Sequence, residues 1–265
     1  MTTRFPELIN RLLTTTRMKT FMLFLVLLTG AASAQTKIEK TIALRSGQKA
    51  VFQFDYPEVK LQTWDKPEIL ITGTVSINQG EHDSAFGLEV NATGAQVTIT
   101  SSLKDKESIP HRISIKKGDR EYYFKTSNFN DPEVQKFLAE NGNEYSYRSS
   151  GIQHDIKLTI YVPRNTPVQI ESKYGLVEVL AFDGPLAIDS KYGGVDVTVA
   201  AAQKGRLTAR SRYGEILSNL DVKFDRVSSG GKEGKNWTEI TATLGSGPEV
   251  VVESKYGNIY LRKPK

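Results

Sequence analysis

Between residues 160 and 265 the apolar positions fall on alternate residues in short runs, and several runs end at the same four-residue corner. Val168 and Ile170, Leu186 and Ile188, Leu207 and Ala209, and Val250 and Val252 stand four and two positions ahead of a serine. That serine opens Ser172-Lys173-Tyr174-Gly175, Ser190-Lys191-Tyr192-Gly193, Ser211-Arg212-Tyr213-Gly214 and Ser254-Lys255-Tyr256-Gly257. Five positions after each serine the apolar pattern resumes at Val177, Val195, Ile216 and Ile259, followed in three copies by Val179, Val197 and Leu261. Alternation with a period of two predicts strands with one buried face. The serine shares the parity of the buried residues and the residue five positions later breaks it. The chain must therefore bend within the tetrapeptide, and glycine suits a bend. One unit reads strand, corner, strand, second turn, with Asp183-Gly184-Pro185 and Gly247-Pro248 as second turns.

Repetition at a short period predicts an all-β, single-chain β-solenoid or β-helix of stacked coils. The first three serines are 18 and 21 residues apart and the last two 43 apart, about two periods. This spacing predicts a degraded coil at Arg226-Val227-Ser228-Ser229-Gly230-Gly231, with residues 232–236 as a loop inserted in it. Stacked strands would bring like residues into ladders at a spacing of ~4.8 Å, and stacking would give the coils the continuous core that none has alone.

The earlier part of the chain also reads as β, less regularly. Strands are expected at Val51 to Phe54, Val59 to Gln62, Ile69 to Ile77, Gln96 to Ile99 and Ile156 to Pro163, with a turn at Asp65-Lys66-Pro67. One segment departs from this pattern. Asp131-Pro132-Glu133 followed by Val134 to Asn141 and Gly142 predicts a short helix, with an aspartate cap, a first-turn proline and a glycine stop. It sits in a polar, tyrosine-bearing stretch from about 104 to 150, read as an insertion that either acts as a lid or covers the sheet. The expected organisation is a leader over 1–34, an irregular β region over 35–165 carrying the insertion, and repeats over 166–265.

The leader reading comes from residues 21–28, an apolar run preceded by Arg17 and Lys19 and followed by Ala32-Ser33-Ala34. This is a signal-peptide pattern with cleavage between Ala34 and Gln35, and Met18 stands where such a peptide would start. Export to the periplasm, cell surface or extracellular space is expected, with no membrane span left after cleavage, since the run is short of the ~20 residues a span needs. Removing the leader takes the formal charge from +5 to about +2, with 31 basic and 29 acidic residues. The basic balance therefore argues for neither nucleic acid nor anionic lipid. Cysteine is absent from the sequence, which excludes thiol chemistry, cysteine-ligated metal and a disulfide framework.

The tetrapeptide supports two roles. In the structural one, serine bonds to the corner backbone, tyrosine covers the corner and the cation is solvated; a repeat must first satisfy its own polar groups. In the functional one, Lys173, Tyr174, Lys191, Tyr192, Arg212, Tyr213, Lys255 and Tyr256 form a binding strip for a cell-envelope polysaccharide or a protein. The three histidines, His82, His111 and His154, lack metal-ligand spacing and read as surface residues. No nucleotide loop or nucleophile elbow occurs. A carbohydrate-active site would draw on Asp189, Asp196, Lys191, Arg210 and Arg212, yet these read as ordinary strand-face residues. No catalytic, cofactor or metal site is expected.

Together with Leu61-Gln62-Thr63-Trp64-Asp65-Lys66-Pro67-Glu68-Ile69 near the start of the mature chain, the repeats resemble the bacterial "putative adhesin" family of β-strand-repeat proteins, the DUF4097 type, in its Bacteroidetes-like branch. The resemblance covers about residues 50 to 265 and leaves 104–150 unexplained. It implies a β-helical fold and an exported, non-enzymatic role in the cell envelope as a binding or structural module. A periplasmic sensory module is the alternative, and a carbohydrate-active β-helix enzyme a more distant one. End-to-end pairing of coils is one route to a homo-oligomer, opposed by the basic tail Arg262-Lys263-Pro264-Lys265.

Overall fold

The computed structural model describes residues 35–142, 144–180, 182–200, 205–227 and 237–264. The expected leader with Ala34, the end of the expected degraded corner (228–231) and the loop 232–236 lie outside the described residues.

Strands β1 (Thr36–Ala43), β2 (Lys49–Phe54), β3 (Glu58–Trp64) and β4 (Glu68–Ile77) come first. A hairpin follows, β5 (Phe86–Thr93) and β6 (Gln96–Leu103). The insertion then contributes β7 (Arg112–Lys117), β8 (Arg120–Phe124), α1 (Pro132–Asn141) and β9 (Tyr147–Gly151). β10 (His154–Pro163) leads into the repeats, where each corner joins two strands. These are β11 (Val168–Ser172) to β12 (Val177–Val179), β13 (Leu186–Ser190) to β14 (Val195–Thr198), and β15 (Arg206–Ser211) to β16 (Ile216–Ser218). After β17 (Asp225–Val227) and β18 (Thr238–Thr243), the last corner joins β19 (Val250–Ser254) to β20 (Ile259–Arg262).

The body is all-β. One sheet runs β1-β4-β10-β3-β12-β14-β20-β16 and the other β17-β18-β15-β19-β13-β11-β2-β6-β5. Each corner carries the chain from the second sheet to the first, so equivalent strands pair in parallel, as in Val168↔Leu186 and Val177↔Val195. The rims are antiparallel, through β1–β4 and β4–β10 in the first sheet and β5–β6 and β15–β18–β17 in the second. Both sheets are therefore mixed and open. The inward residues of both, among them Phe52, Leu61, Ile71, Ile99, Ile160, Ile170, Val195 and Val252, belong to one core.

Two expectations need correction. The corners do not stack in chain order: β19 pairs with β13 on one side and β15 on the other, and β20 lies between β14 and β16. The order in space is thus first, second, fourth, third. Nor does Arg226-Val227 open a degraded coil. It lies in β17, antiparallel to β18, which is antiparallel to β15. This meander turns the chain outward and back, and the returning strand enters the slot beside β13. Residues before and after 165 share both sheets.

The helix forms as its caps predict: Asp131 accepts from the Glu133 amide at 2.9 Å, Pro132 opens the first turn, and Gly142 beyond the end has φ 72°. It does not cover the main sheets. β8, β7 and β9 form a third, antiparallel sheet, and Val134, Phe137 and Leu138 of the helix pack with Ile113, Ile115 and Phe124 in a separate small core. Asn78 ties this module to the body. It is fully buried at φ 49°, a conformation asparagine tolerates better than most residues. Its amide donates to the Gln153 carbonyl (2.9 Å), its side chain donates to Pro110 (2.9 Å) and accepts from the Gln153 amide (3.1 Å), and its carbonyl accepts from Arg112 (3.0 Å). Arg112 also pairs with Glu81, which takes a second cation, Lys125, at 2.6 Å.

Candidate functional site

At each corner the four positions divide their work. The serine is buried at the end of its strand, and its hydroxyl donates to the carbonyl of the glycine three residues on. The distances are 2.9 Å at Ser172, 2.7 Å at Ser190, 2.8 Å at Ser211 and 2.8 Å at Ser254. The glycine is required by close approach of backbones. A methyl group on Gly193 would overlap the Gly175 carbonyl, one on Gly257 that of Gly193, and one on Gly214 that of Gly257. Serine and glycine therefore hold the corner: the serine bond is the one the structural reading expects, while the glycine serves close packing between corners rather than a positive φ.

The two middle residues are turned outward. Tyr174, Tyr192, Tyr256 and Tyr213 are about half exposed, at 44–54%. Their rings form a ladder with centroid spacings of 5.2, 5.1 and 5.0 Å and interplanar angles of 10°, 9° and 13°. The preceding cations lie over their own tyrosines: Lys173, Lys191 and Lys255 at 5.2, 5.1 and 5.4 Å, and Arg212 at 5.2 Å. All eight residues of the expected strip thus come together, ordered along the stack as 173–174, 191–192, 255–256 and 212–213.

A fifth corner was not recognised in the sequence. Phe54 stands in register with Ser172, and the amides of Lys173 and Tyr174 donate to the carbonyls of Phe54 and Asp55, both at 2.9 Å. Phe54-Asp55-Tyr56-Pro57 is therefore the first corner, with phenylalanine for serine and proline for glycine. Tyr56 extends the ladder, 5.7 Å from Tyr174 at 14°. Tyr56 also has His154 at 4.7 Å and the Lys106 ammonium at 5.8 Å. Burial pushes the His154 imidazole below its ordinary pKa. The signal was available: Ala50 and Phe52 before this corner and Val59 and Leu61 after it repeat the apolar spacing of the other four.

Beside the ladder, on the outer face of the second sheet, lies an open groove of about 820 Å³. One wall is the row preceding the serines, Glu171, Asp189 and Glu253, in register across neighbouring strands. The other is Lys173, Lys191, Lys255 and Arg212. Thr100 and Ser101 lie at one end and Trp237 at the other. The cation half of the strip lines this groove, while the tyrosines lie outside it. Burial, and then the neighbouring Glu171, push the Asp189 carboxyl above its usual range.

Of the residues weighed for carbohydrate cleavage, Asp189, Lys191 and Arg212 line the groove and Asp196 and Arg210 do not. Asp189 faces the groove, but Asp196 is on the other sheet, held by Arg262 Nε at 2.7 and 2.8 Å. Arg210 is taken by Glu239 at 2.7 Å. Among the described residues no group of three histidine or acidic side chains could hold a metal ion, and no helix is long and apolar enough to cross a membrane. His82 is half-buried, with Nδ1 making no hydrogen bond, rather than a surface residue. The Trp64 turn is a local brace: the indole N–H donates to the Glu68 carbonyl at 2.7 Å, and the ring packs on Tyr161 at 5.4 Å with Lys66 above it at 4.8 Å.

No protein-family model matches the chain, and no curated protein does. Among solved structures it is similar to a "putative cell adhesion protein" from Clostridium sporogenes ATCC 15579, at 10% identity over 87% of this chain and 100% of that one, with a TM-score of 0.45. A "putative adhesin" from Bacteroides fragilis NCTC 9343 matches at 9% identity over 88% and 99%, with a TM-score of 0.22.

Proposed function

We propose that the chain is an exported, non-enzymatic module of the cell envelope, solenoid-like in its stacked corners, that binds an extended partner in the manner of an adhesin. The observation that carries this reading is the alignment of all eight strip residues. A scaffold needs the buried serine and the closely packed glycine at each corner. It has no evident need for an outward cation and a half-exposed tyrosine at every step. Repetition at strand spacing suits a partner that is itself repetitive, and an envelope polysaccharide is the first choice. The separation of Asp189 from Asp196, each in its own surroundings, supports binding over cleavage.

Retention of the mature chain on immobilised bacterial envelope polysaccharide tests this. Retention is expected, and a Lys173→Met/Lys191→Met/Lys255→Met variant that melts like the parent is expected to lose it. Equal retention of that variant would overturn the reading, and so would conversion of the polysaccharide to shorter products.

A further inference from the structure

The tyrosine ladder cannot serve as a stacking platform along its length. Its ring faces are covered by one another, which leaves ring edges and hydroxyls outward. A polymer bound beside the ladder would therefore be read by the groove, where the charges are arranged unusually. Acidic and basic rows run side by side, separated along each strand by one buried serine, about 7 Å at the backbone, and each row repeats at ~4.8 Å.

Glu253 is met by Arg210 at 3.9 Å, but Glu171 and Asp189 are not neutralised by the basic row. Lys173, Lys191 and Lys255 form no ion pair among the described residues and rest on their own tyrosines. Asp189 makes no hydrogen bond or ion pair with a described residue, and Glu171 takes its hydrogen bonds from the uncharged Gln53 (3.0 Å) and Gln169 (2.7 Å). Arg212 Nε is buried with no hydrogen-bond partner. A polyanion seated here would press against the carboxylates and a polycation against the lysines. An uncharged chain would strip water from both rows without supplying a counter-charge, which is costly for any ion. A chain bearing ammonium and carboxylate groups in alternation would satisfy both rows together.

We propose that the groove selects a zwitterionic polysaccharide, with its ammonium groups on Glu171 and Asp189 of the acidic wall and its carboxylates on the lysine wall. This rests on the binding reading above and adds the ligand's charge pattern to it.

The test is calorimetric titration of the mature chain with four soluble probes. They are an alternating glucosamine–glucuronate polymer with free amines, its N-acetylated and hence anionic parent, chitosan oligomers as polycation, and dextran as neutral chain. The zwitterionic probe is expected to bind at least tenfold more tightly than the other three. Glu171→Gln/Asp189→Asn should weaken it at least tenfold and shift preference towards the anionic parent. Lys173→Met/Lys191→Met should weaken it and shift preference towards chitosan. Equal or tighter binding of dextran, of the anionic parent or of chitosan by the parent protein would overturn the proposal. So would indifference of the zwitterionic probe to the acidic-wall variant. If envelope polysaccharide is retained but the four probes show no such order, only the charge-pattern inference fails; if nothing is retained and no probe binds, the binding reading fails with it.

Discussion

The corner stack and the inserted module are both small β structures with exposed tyrosines, but they are specified in opposite ways. In the stack, backbone lies directly on backbone. Each corner glycine is fixed by a carbonyl of the next corner, and each serine caps its own turn. Order therefore passes from one unit to the next, and side chains at the two outward positions contribute little to it. In the module, order comes from side chains meeting across a private core, with Phe137 set against Tyr122 at 4.6 Å and Phe124 at 5.4 Å, and from one buried asparagine that joins it to the body. A repeated contact tolerates change at its outer positions and nowhere else. A private core tolerates change at its surface but depends on its latch at Asn78, Arg112 and Glu81.

The largest effect that would break this contrast is expected at Gly193→Ala. The added methyl must displace a backbone carbonyl rather than a side chain, so a loss of about 3 kcal/mol or more is expected in chemical denaturation, across the body as a whole. A cost under 1 kcal/mol would show that the corners are looser than described. Next comes Asn78→Ala. It removes two side-chain hydrogen bonds from a buried site, worth about 2–3 kcal/mol, and amide exchange should quicken in residues 112–151 while the corners stay protected. Quickening in both regions would mean that the module is not separately held. Ser190→Ala should cost about 1 kcal/mol by leaving the Gly193 carbonyl only the longer bond from Ser254 at 3.4 Å, and the loss should appear in the main body alone.

Acid should separate the two regions with less force. Hydrogen bonds from Lys125 and then Arg112 hold the Glu81 carboxyl at about 2, against an ordinary 4.5. A carboxylate whose pKa is lowered on folding stabilises the folded state above its unfolded value and loses that effect as pH falls through the folded one. Protection of the module should therefore decline between pH 4.5 and 2, and Glu81→Gln should remove this dependence. A decline of equal size in the variant would assign it elsewhere. The smallest effect is expected at Tyr192→Ala, which removes two stacked contacts at a half-exposed position, about 1 kcal/mol; near-ultraviolet circular dichroism would register the broken ladder.

The same contrast explains what was legible in the sequence. Period-two alternation and the serine's parity located strands and corners, because burial in a stack is a property of single positions. The helix could be read because its capping groups are local, Asp131, Pro132 and Gly142. What could not be read depends on pairing between distant segments. Nothing near Val250 announces that β19 enters between β13 and β15, since a strand with two equivalent neighbours carries the same alternation in either place. The fifth corner is hidden because Phe54 and Pro57 replace the serine and glycine that mark the other four, though Tyr56 and the flanking apolar residues keep their spacing. The groove was half visible: its cations were singled out, while of its acidic wall only Asp189 was weighed, as an ordinary strand-face residue.

The displaced position of β19 also sets a schedule. The two sheets have gaps beside β13 and β14 until residues 250–262 are available, because those residues supply the middle strands rather than an added rim. The stack therefore cannot be completed progressively from its first corner as the chain emerges. The place beside β13 and β14 must wait for strands that follow the third corner and its meander in the chain. Such a stack stays open while β15 to β18 form and closes only when β19 and β20 enter it. Loss of residues 250–262 would leave two halves facing an empty seam instead of a shortened stack.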